Sequence, residues 1–418
     1  MNYLKKMLGL GKTAANRRSL PLDVLRGAAM CLVLFRHPVV HASEAGMLAP
    51  LARCLERIGW TGVDLFFVLS GFLIGGLFFN ELEKNSCIDK GRFFIRRAFK
   101  IWPGYLLLVL VTFVQDLRHG NASWGVALHD VMPNLFHLQN YFWTLRGQTW
   151  SLAVEEHFYL FLPLLFMILT LGKRGRILDI PSIPLIAGVL TVVCLGLRMW
   201  VTSREPFYAY RNISPTHLRI DSLFWGVFLS YLYKFRPAWA VPILGNRKFL
   251  LLSGVLLISP MAIYDDFTPF AHTLGFTLLF LGYGCILIAF VSTSEGSGRL
   301  ATLIFSPVGR CLAFAGVFSY AIYLWHVDFA LAVLVHRLHW IVPASAPGAL
   351  RWIVALCIYI PLATVAGIVM TRLIEDPALA LRNRFWPSKS GGSVTQPVDA
   401  SGEQKNEMTI GLSVNPSV

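Results

Sequence analysis

Apolar runs recur along the whole chain, separated by short polar connections, near residues 22–42, 58–80, 99–117, 150–171, 183–202, 218–235, 248–264, 272–292, 312–337 and 350–374. Runs of this length can cross roughly 30 Å of hydrocarbon as helices. The pattern therefore predicts an all-α protein, a polytopic transmembrane helix bundle of about ten spans. Lys and Arg are concentrated in the N-terminus, the even-numbered connections and the C-terminal tail, so the positive-inside rule places both termini in the cytoplasm. Composition agrees with the pattern. Hydrophobic residues make up 55% of the 418 and charged residues 14%, with a mean hydropathy of +0.58, which is more apolar than a soluble chain of this length could bury. A soluble enzyme or nucleic-acid-binding domain is excluded on this ground. The net charge of +14 is expected to face inner-leaflet lipids rather than nucleic acid.

Three regions follow: a basic cytoplasmic N-terminus over 1–20, a transmembrane domain over 21–385, and a polar tail over 386–418, rich in Ser, Gly and Pro, expected to be disordered. Lys5, Lys6, Lys12, Arg17 and Arg18 could be taken for the start of a signal peptide. No convincing small-residue cleavage site follows them, so the first helix is expected to be retained. No second globular domain is expected. The seven cysteines are scattered without metal-ligand or disulfide-framework spacing, so no metal is expected.

The chemistry lies in the polar residues that interrupt the apolar runs, because ionisable groups at bilayer depth are costly. In LDVLRGAAMCLVLFRHPVV, Arg26 and His37 are eleven residues apart. On a helix they would share one face, about 16 Å apart along the axis. Asp64 lies near one end of GVDLFFVLSGFLIGG, and WSLAVEEHFYLFLP opens the fourth run with Glu155, Glu156 and His157. In SYAIYLWH, Ser319, Tyr323 and His326 form a polar stripe that suits either a site or helix-to-helix hydrogen bonding. Arg219 and Asp221, two apart, are expected to neutralise each other or another helix's charge. On the predicted cytoplasmic side, GRFFIRRAFKIWPGY sets Arg92, Arg96, Arg97 and Lys100 at helical spacing. Such a cationic stripe suits lipid headgroups or a phosphate-bearing ligand.

These segments together resemble the membrane-bound acyltransferase 3 family, which includes bacterial O-antigen, exopolysaccharide and peptidoglycan acyltransferases. The matching pieces are LDVLRGAAMCLVLFRH with its Arg-x10-His spacing, GVDLFFVLSGFLIGG, FFIRRAFKIWPGY, WSLAVEEHFYLFLP, SYAIYLWH and the IEDP ending, in that order across roughly residues 20–385. The resemblance implies an integral, multi-pass enzyme of a bacterial inner membrane, moving an acyl group, commonly acetyl, from cytosolic acyl-CoA to a hydroxyl of a carbohydrate or lipid-linked sugar at the outer side. It makes His37 the catalytic base and Glu155 the matching carboxylate. The family's Arg-x-x-Arg motif is met by Arg97 and Lys100, which keep the charge but not the second planar fork. With Arg26, they would hold the donor's phosphates. Glu155 or Asp64 would orient the His37 imidazole. Acyl-CoA enters as a donor substrate, and no tightly bound cofactor is expected. The alternative is a transporter or flippase, although no inverted repeat is visible between the two halves.

Overall fold

The computed structural model describes residues 19–85, 87–118, 123–171, 180–296 and 298–386. The basic residues Lys5 to Arg18 and nearly all of the expected tail lie outside the described residues. Every regular element among the described residues is helical. The principal helices are α1 (Leu20–Arg36), α2 (Ala49–Gly59), α3 (Gly62–Asn85), α4 (Lys90–Arg118), α5 (Trp124–Leu135), α6 (Trp150–Thr170), α7 (Ile183–Arg204) and α8 (Ile220–Phe235). They continue with α9 (Arg247–Ile258), α10 (Phe276–Val291), α11 (Arg299–Phe305), α12 (Pro307–Val317), α13 (Ser319–Trp325), α14 (Ala332–Ile341), α15 (Gly348–Met370) and α16 (Asp376–Phe385). Single π-turns at Ala271–Gly275, His326–Leu331 and Thr371–Glu375 make continuous rods of neighbouring pieces.

Among the described residues, seven of the resulting helices are long and apolar enough to cross a membrane, or eight if α11 and α12, bent by 55° at their junction, count as one span. The sequence led us to expect about ten. The difference lies in runs 22–42, 218–235 and 248–264, whose helices α1, α8 and α9 have only 17, 16 and 12 residues. Crossing the hydrocarbon as a straight helix takes about 20. Pro38 accounts for the first case, because the residue before a proline is pushed out of the helical region. His37 accordingly stands at the C-cap of α1 with φ −114° and ψ 63°, its amide donating to Leu34 O. The ninth run is also divided, between α12 and α13 at Phe318.

In a bilayer, close packing of small residues replaces the hydrophobic drive between helices. Two glycine seams do this here. Gly27 on α1 faces the Leu312 carbonyl of α12 while Gly316 faces Asp23 O, and Gly71 on α3 meets Gly226 on α8. A Cβ at any of the four would collide with the opposing backbone. The seams bring α1, α3, α8 and α12 backbone to backbone, which sets the polar residues of α1 and α3 toward the interior.

Candidate active site

A basic cavity of about 460 Å³ opens at the Arg26 end of α1, with Arg97, Lys100 and Glu155 among its lining. Arg97 and Lys100 come from the same face of α4, being three residues apart on a helix. Arg26 donates to Asp23 Oδ1 at 2.8 Å, and Lys100 is ion-paired to Glu375. Glu375 is in turn held by the Thr371 hydroxyl at 3.2 Å. Arg97 differs. Its guanidinium lies over the Tyr159 ring at 5.1 Å and the Phe93 ring at 5.9 Å, and no carboxylate among the described residues forms an ion pair with it. Glu155 accepts from the Tyr159 hydroxyl at 2.8 Å, and Ser70 bonds that hydroxyl at 2.9 Å. Of the two adjacent glutamates it is Glu155 that lines the cavity, while Glu156 accepts from Trp102 Nε1 at 3.4 Å.

A second cavity, of about 450 Å³, lies at the His37 end and is lined in part by Arg36, Trp60, Trp150, Tyr210 and Arg219. The hydrogen bonds of His37 fix its tautomer. Nδ1 lies 3.1 Å from Val33 O, and a carbonyl can only accept, so the neutral ring carries its proton on Nδ1. His326 Nδ1 donates in the same way to Tyr323 O at 2.7 Å, which leaves His326 Nε2 as an acceptor 3.4 Å from His37 Nδ1. Both contacts to His37 therefore fall on Nδ1. Nε2 keeps a free lone pair, as a general base requires. Arg36 beside it is paired with Asp266 at 2.9 Å. Asp266 belongs to the loop 263–270, and burial raises its carboxyl pKa against the opposing pull of Arg36.

A narrow space of about 110 Å³ lies between the two cavities. It shares Phe66, Glu155, Ser319 and Tyr320 with the basic cavity, and Val63 and Tyr323 with the histidine cavity. Its polar walls are tied back. Tyr320 donates to Ile101 O at 2.6 Å, and Tyr323 donates to Gln148 O while Ser151 bonds its hydroxyl at 2.6 Å. The result is a mostly apolar neck between a cationic mouth and a histidine.

A family profile described as an acyltransferase domain matches residues 21–372. The chain belongs to the acyltransferase 3 family. The family is the one that the motif order led us to expect. It is similar to a Staphylococcus aureus (strain COL) protein provisionally named an O-acetyltransferase, at 29% identity over 66% of this chain and 47% of that one. It is also similar to the peptidoglycan O-acetyltransferase OatA of Listeria monocytogenes, at 28% identity over 75% of this chain and 50% of that one. The chain thus spans about half the length of the curated relatives it matches. No solved structure matches it significantly.

The residues singled out by the motifs fall in two places, Arg26 with Arg97, Lys100 and Glu155 in one cavity and His37 in the other. Asp64 does not take the place expected of it. Its Oδ1 accepts from Arg219 Nη2 at 2.7 Å and both side chains are buried, so the carboxylate is engaged by a guanidinium rather than by His37. Glu155 likewise hydrogen-bonds Tyr159 in the basic cavity. The side chain that meets the His37 ring is His326, which the sequence showed only as part of a polar stripe. Asp221, expected to pair with Arg219 or a charge elsewhere, pairs with Arg198 of α7 at 2.5 Å. Arg198, 1% exposed, was not singled out at all. An arginine fifteen residues into the fifth run was the available signal.

Proposed function

We propose that the protein is an integral-membrane O-acyltransferase that moves an acyl group, acetyl as the first candidate, from cytosolic acyl-CoA to a carbohydrate hydroxyl on the outer side. The observation that carries this reading is the pair of cavities of nearly equal volume joined by the narrow apolar neck. A CoA thioester has the matching form: a polyanionic head, a thin pantetheine arm and a reactive carbonyl at its tip. Arg26, Arg97 and Lys100 would receive the phosphates, since charge-assisted bonds to phosphate are the strong ones. The arm would pass the neck. The axial separation of about 16 Å between Arg26 and His37 is a span such an arm can cover.

At the far end His37 Nε2 would take the proton from the acceptor hydroxyl as its oxygen attacks the thioester carbonyl. The tetrahedral intermediate then expels the CoA sulfur, and the imidazolium returns the proton to the thiolate. Trp60, Trp150 and Tyr210 give the outer cavity flat apolar faces, beside the polar Arg36–Asp266 pair. Such a mixture suits a sugar ring, and the similarity to a peptidoglycan O-acetyltransferase makes a cell-envelope glycan the first acceptor to try. In this reading the cationic cavity faces the cytoplasm of a bacterial inner membrane, and acyl-CoA is a donor substrate rather than a resident cofactor.

The test is reconstitution of the purified protein in lipid vesicles with labelled acetyl-CoA and glycan fragments. Release of free CoA that depends on acceptor, with label on an acceptor oxygen, is expected. A protein that moves the glycan across the bilayer while leaving acetyl-CoA intact would be a carrier, and the proposal would fall.

A further inference from the structure

Two arginines of the cationic stripe stand outside the basic cavity. Arg92 and Arg96, one turn apart on α4, line a separate cavity of about 240 Å³ between the end of α3 and the start of α4, with Lys84 as a third cation. Arg96 is exposed and Arg92 partly so, which leaves both within reach of a ligand. The carboxylates of this cavity are engaged by backbone: Asp89 Oδ1 accepts from the Arg92 amide at 3.0 Å, and Glu81 Oε1 from the Asp89 amide at 3.3 Å. No carboxylate among the described residues forms an ion pair with Arg92 or Arg96, and Arg382 of α16 is near enough to Arg96 for their like charges to repel. The cavity abuts the basic one. Leu77 lines both, and Phe93, which lines this one, has its ring 5.9 Å from the Arg97 guanidinium of the other. Arg96 and Arg97 are successive residues and point about 100° apart, so α4 presents one cation to each side of this wall. Along α4, Arg92 and Arg96 come first, then Arg97 and Lys100, then the Ile101 carbonyl that holds Tyr320 at the neck. The whole sequence takes about 14 Å of helix axis.

We propose that Arg92 and Arg96 bind the ribose 3′-phosphate of the CoA donor, while the neighbouring cavity takes its diphosphate. This rests on the acyl-transfer reading above and deepens it. Both phosphate groups hang from one ribose, so their sites must lie side by side, as the two cavities do. A phosphate monoester carries close to two charges near neutral pH and three acceptor oxygens. Two guanidinium forks, about 6 Å apart along one helix face, suit such a group. Anionic lipid is the other phosphate source at this surface, but its headgroup is a diester with no ribose to join the two cavities. The site would select CoA against thioesters that lack the 3′-phosphate, among them those carried on a protein-bound phosphopantetheine.

Equilibrium binding of CoA and of dephospho-CoA, which differ only in the 3′-phosphate, tests this in phosphatidylcholine vesicles without turnover. The wild type should bind CoA about 10- to 100-fold more tightly, as expected for charge-assisted contacts to one group. Replacing both residues, Arg92→Gln with Arg96→Gln, should bring the two affinities within about threefold of each other, and the dephospho-CoA that this protein binds reports that it is folded. Arg92→Lys with Arg96→Lys keeps the charge without the forks and should fall between. In turnover, the same order should appear in kcat/KM for acetyl-CoA against acetyl-dephospho-CoA. A wild type that binds both ligands equally, or a preference that the Gln pair leaves intact, overturns the assignment. So does a preference that vanishes once phosphatidylglycerol is added to the vesicles, the mark of a headgroup site. A protein that shows the preference yet releases no CoA from acetyl-CoA refutes the transfer reading and leaves the phosphate site standing.

Discussion

The two cavities handle positive charge in opposite ways. At the basic end Arg26 and Lys100 are about one-third exposed, each leaning on a nearby carboxylate, and Arg97 rests on aromatic faces with no carboxylate among the described residues paired to it. The cations of these pairs are within reach of the cavity, while their carboxylates are buried, Asp23 at 8% and Glu375 at 4% side-chain exposure. At the histidine end Arg219 and Arg198 are fully buried and locked to Asp64 and Asp221. Breaking such a pair by removing one member costs about 3–5 kcal/mol. The contrast teaches where binding and where chemistry belong. On the proposed reading, the reachable cations of the basic cavity would meet the phosphates of an arriving donor, whereas the locked pairs would hold the wall of the histidine cavity in a fixed geometry.

The largest effect expected from this contrast is at His37. His37→Ala should reduce transfer by about 10²- to 10⁴-fold, while acetyl-CoA still binds, because the phosphates are held at the other end of the neck. Equilibrium binding measured beside turnover decides it. If His37→Ala lost donor affinity in step with rate, the division of labour between the cavities would be wrong.

Next in size is Arg97, the cation of the basic cavity that an arriving phosphate reaches without first displacing a carboxylate. Arg97→Ala should raise the donor KM about 10- to 100-fold, corresponding to a charge-assisted bond of about 1.5–3 kcal/mol, and leave kcat nearly unchanged. Lys100→Ala should cost less at this step, because it also frees Glu375 from its partner. A kcat defect in Arg97→Ala with normal KM would mean that the basic cavity takes part in chemistry, and the contrast would fail.

Much of this layout was legible before any coordinates. Arg26 and His37 stand out because charge in an apolar run is expensive, and Arg97 and Lys100 because a spacing of three on a helix puts them on one face. These are local signals. What escaped the sequence is carried by contacts between distant segments. The partner of Asp64 is 155 residues away at the N-cap of α8, and that of His37 is 289 residues away beyond α13. Glycines such as Gly71 and Gly75, four apart, signal a close helix approach, but nothing in their spacing says which helix they will meet. The described residues hold fewer long apolar helices than the sequence has apolar runs for a related reason. Hydropathy windows register apolar runs but not the point at which Pro38 ends α1, or the shortness of α8 and α9.

The smallest predicted effect probes the rest of the His37 environment. The Nδ1 proton of His37 is shared between Val33 O at 3.1 Å and His326 Nε2 at 3.4 Å, and the second, longer contact is the weaker of the two. Losing it leaves the Val33 bond in place, so the tautomer should survive but the ring should be held less firmly. His326→Phe keeps a flat ring against His37 and removes the acceptor, whereas His326→Gln keeps an acceptor and removes the ring. If hydrogen bonding is what matters, Phe should cost about tenfold in kcat, roughly 1.4 kcal/mol, and Gln only two- to threefold, both at unchanged donor KM. The reverse order would make the T-shaped contact of the two rings, 5.1 Å between centroids, a packing device. The fixed geometry at this end would then reside in Arg219 and Asp64 alone.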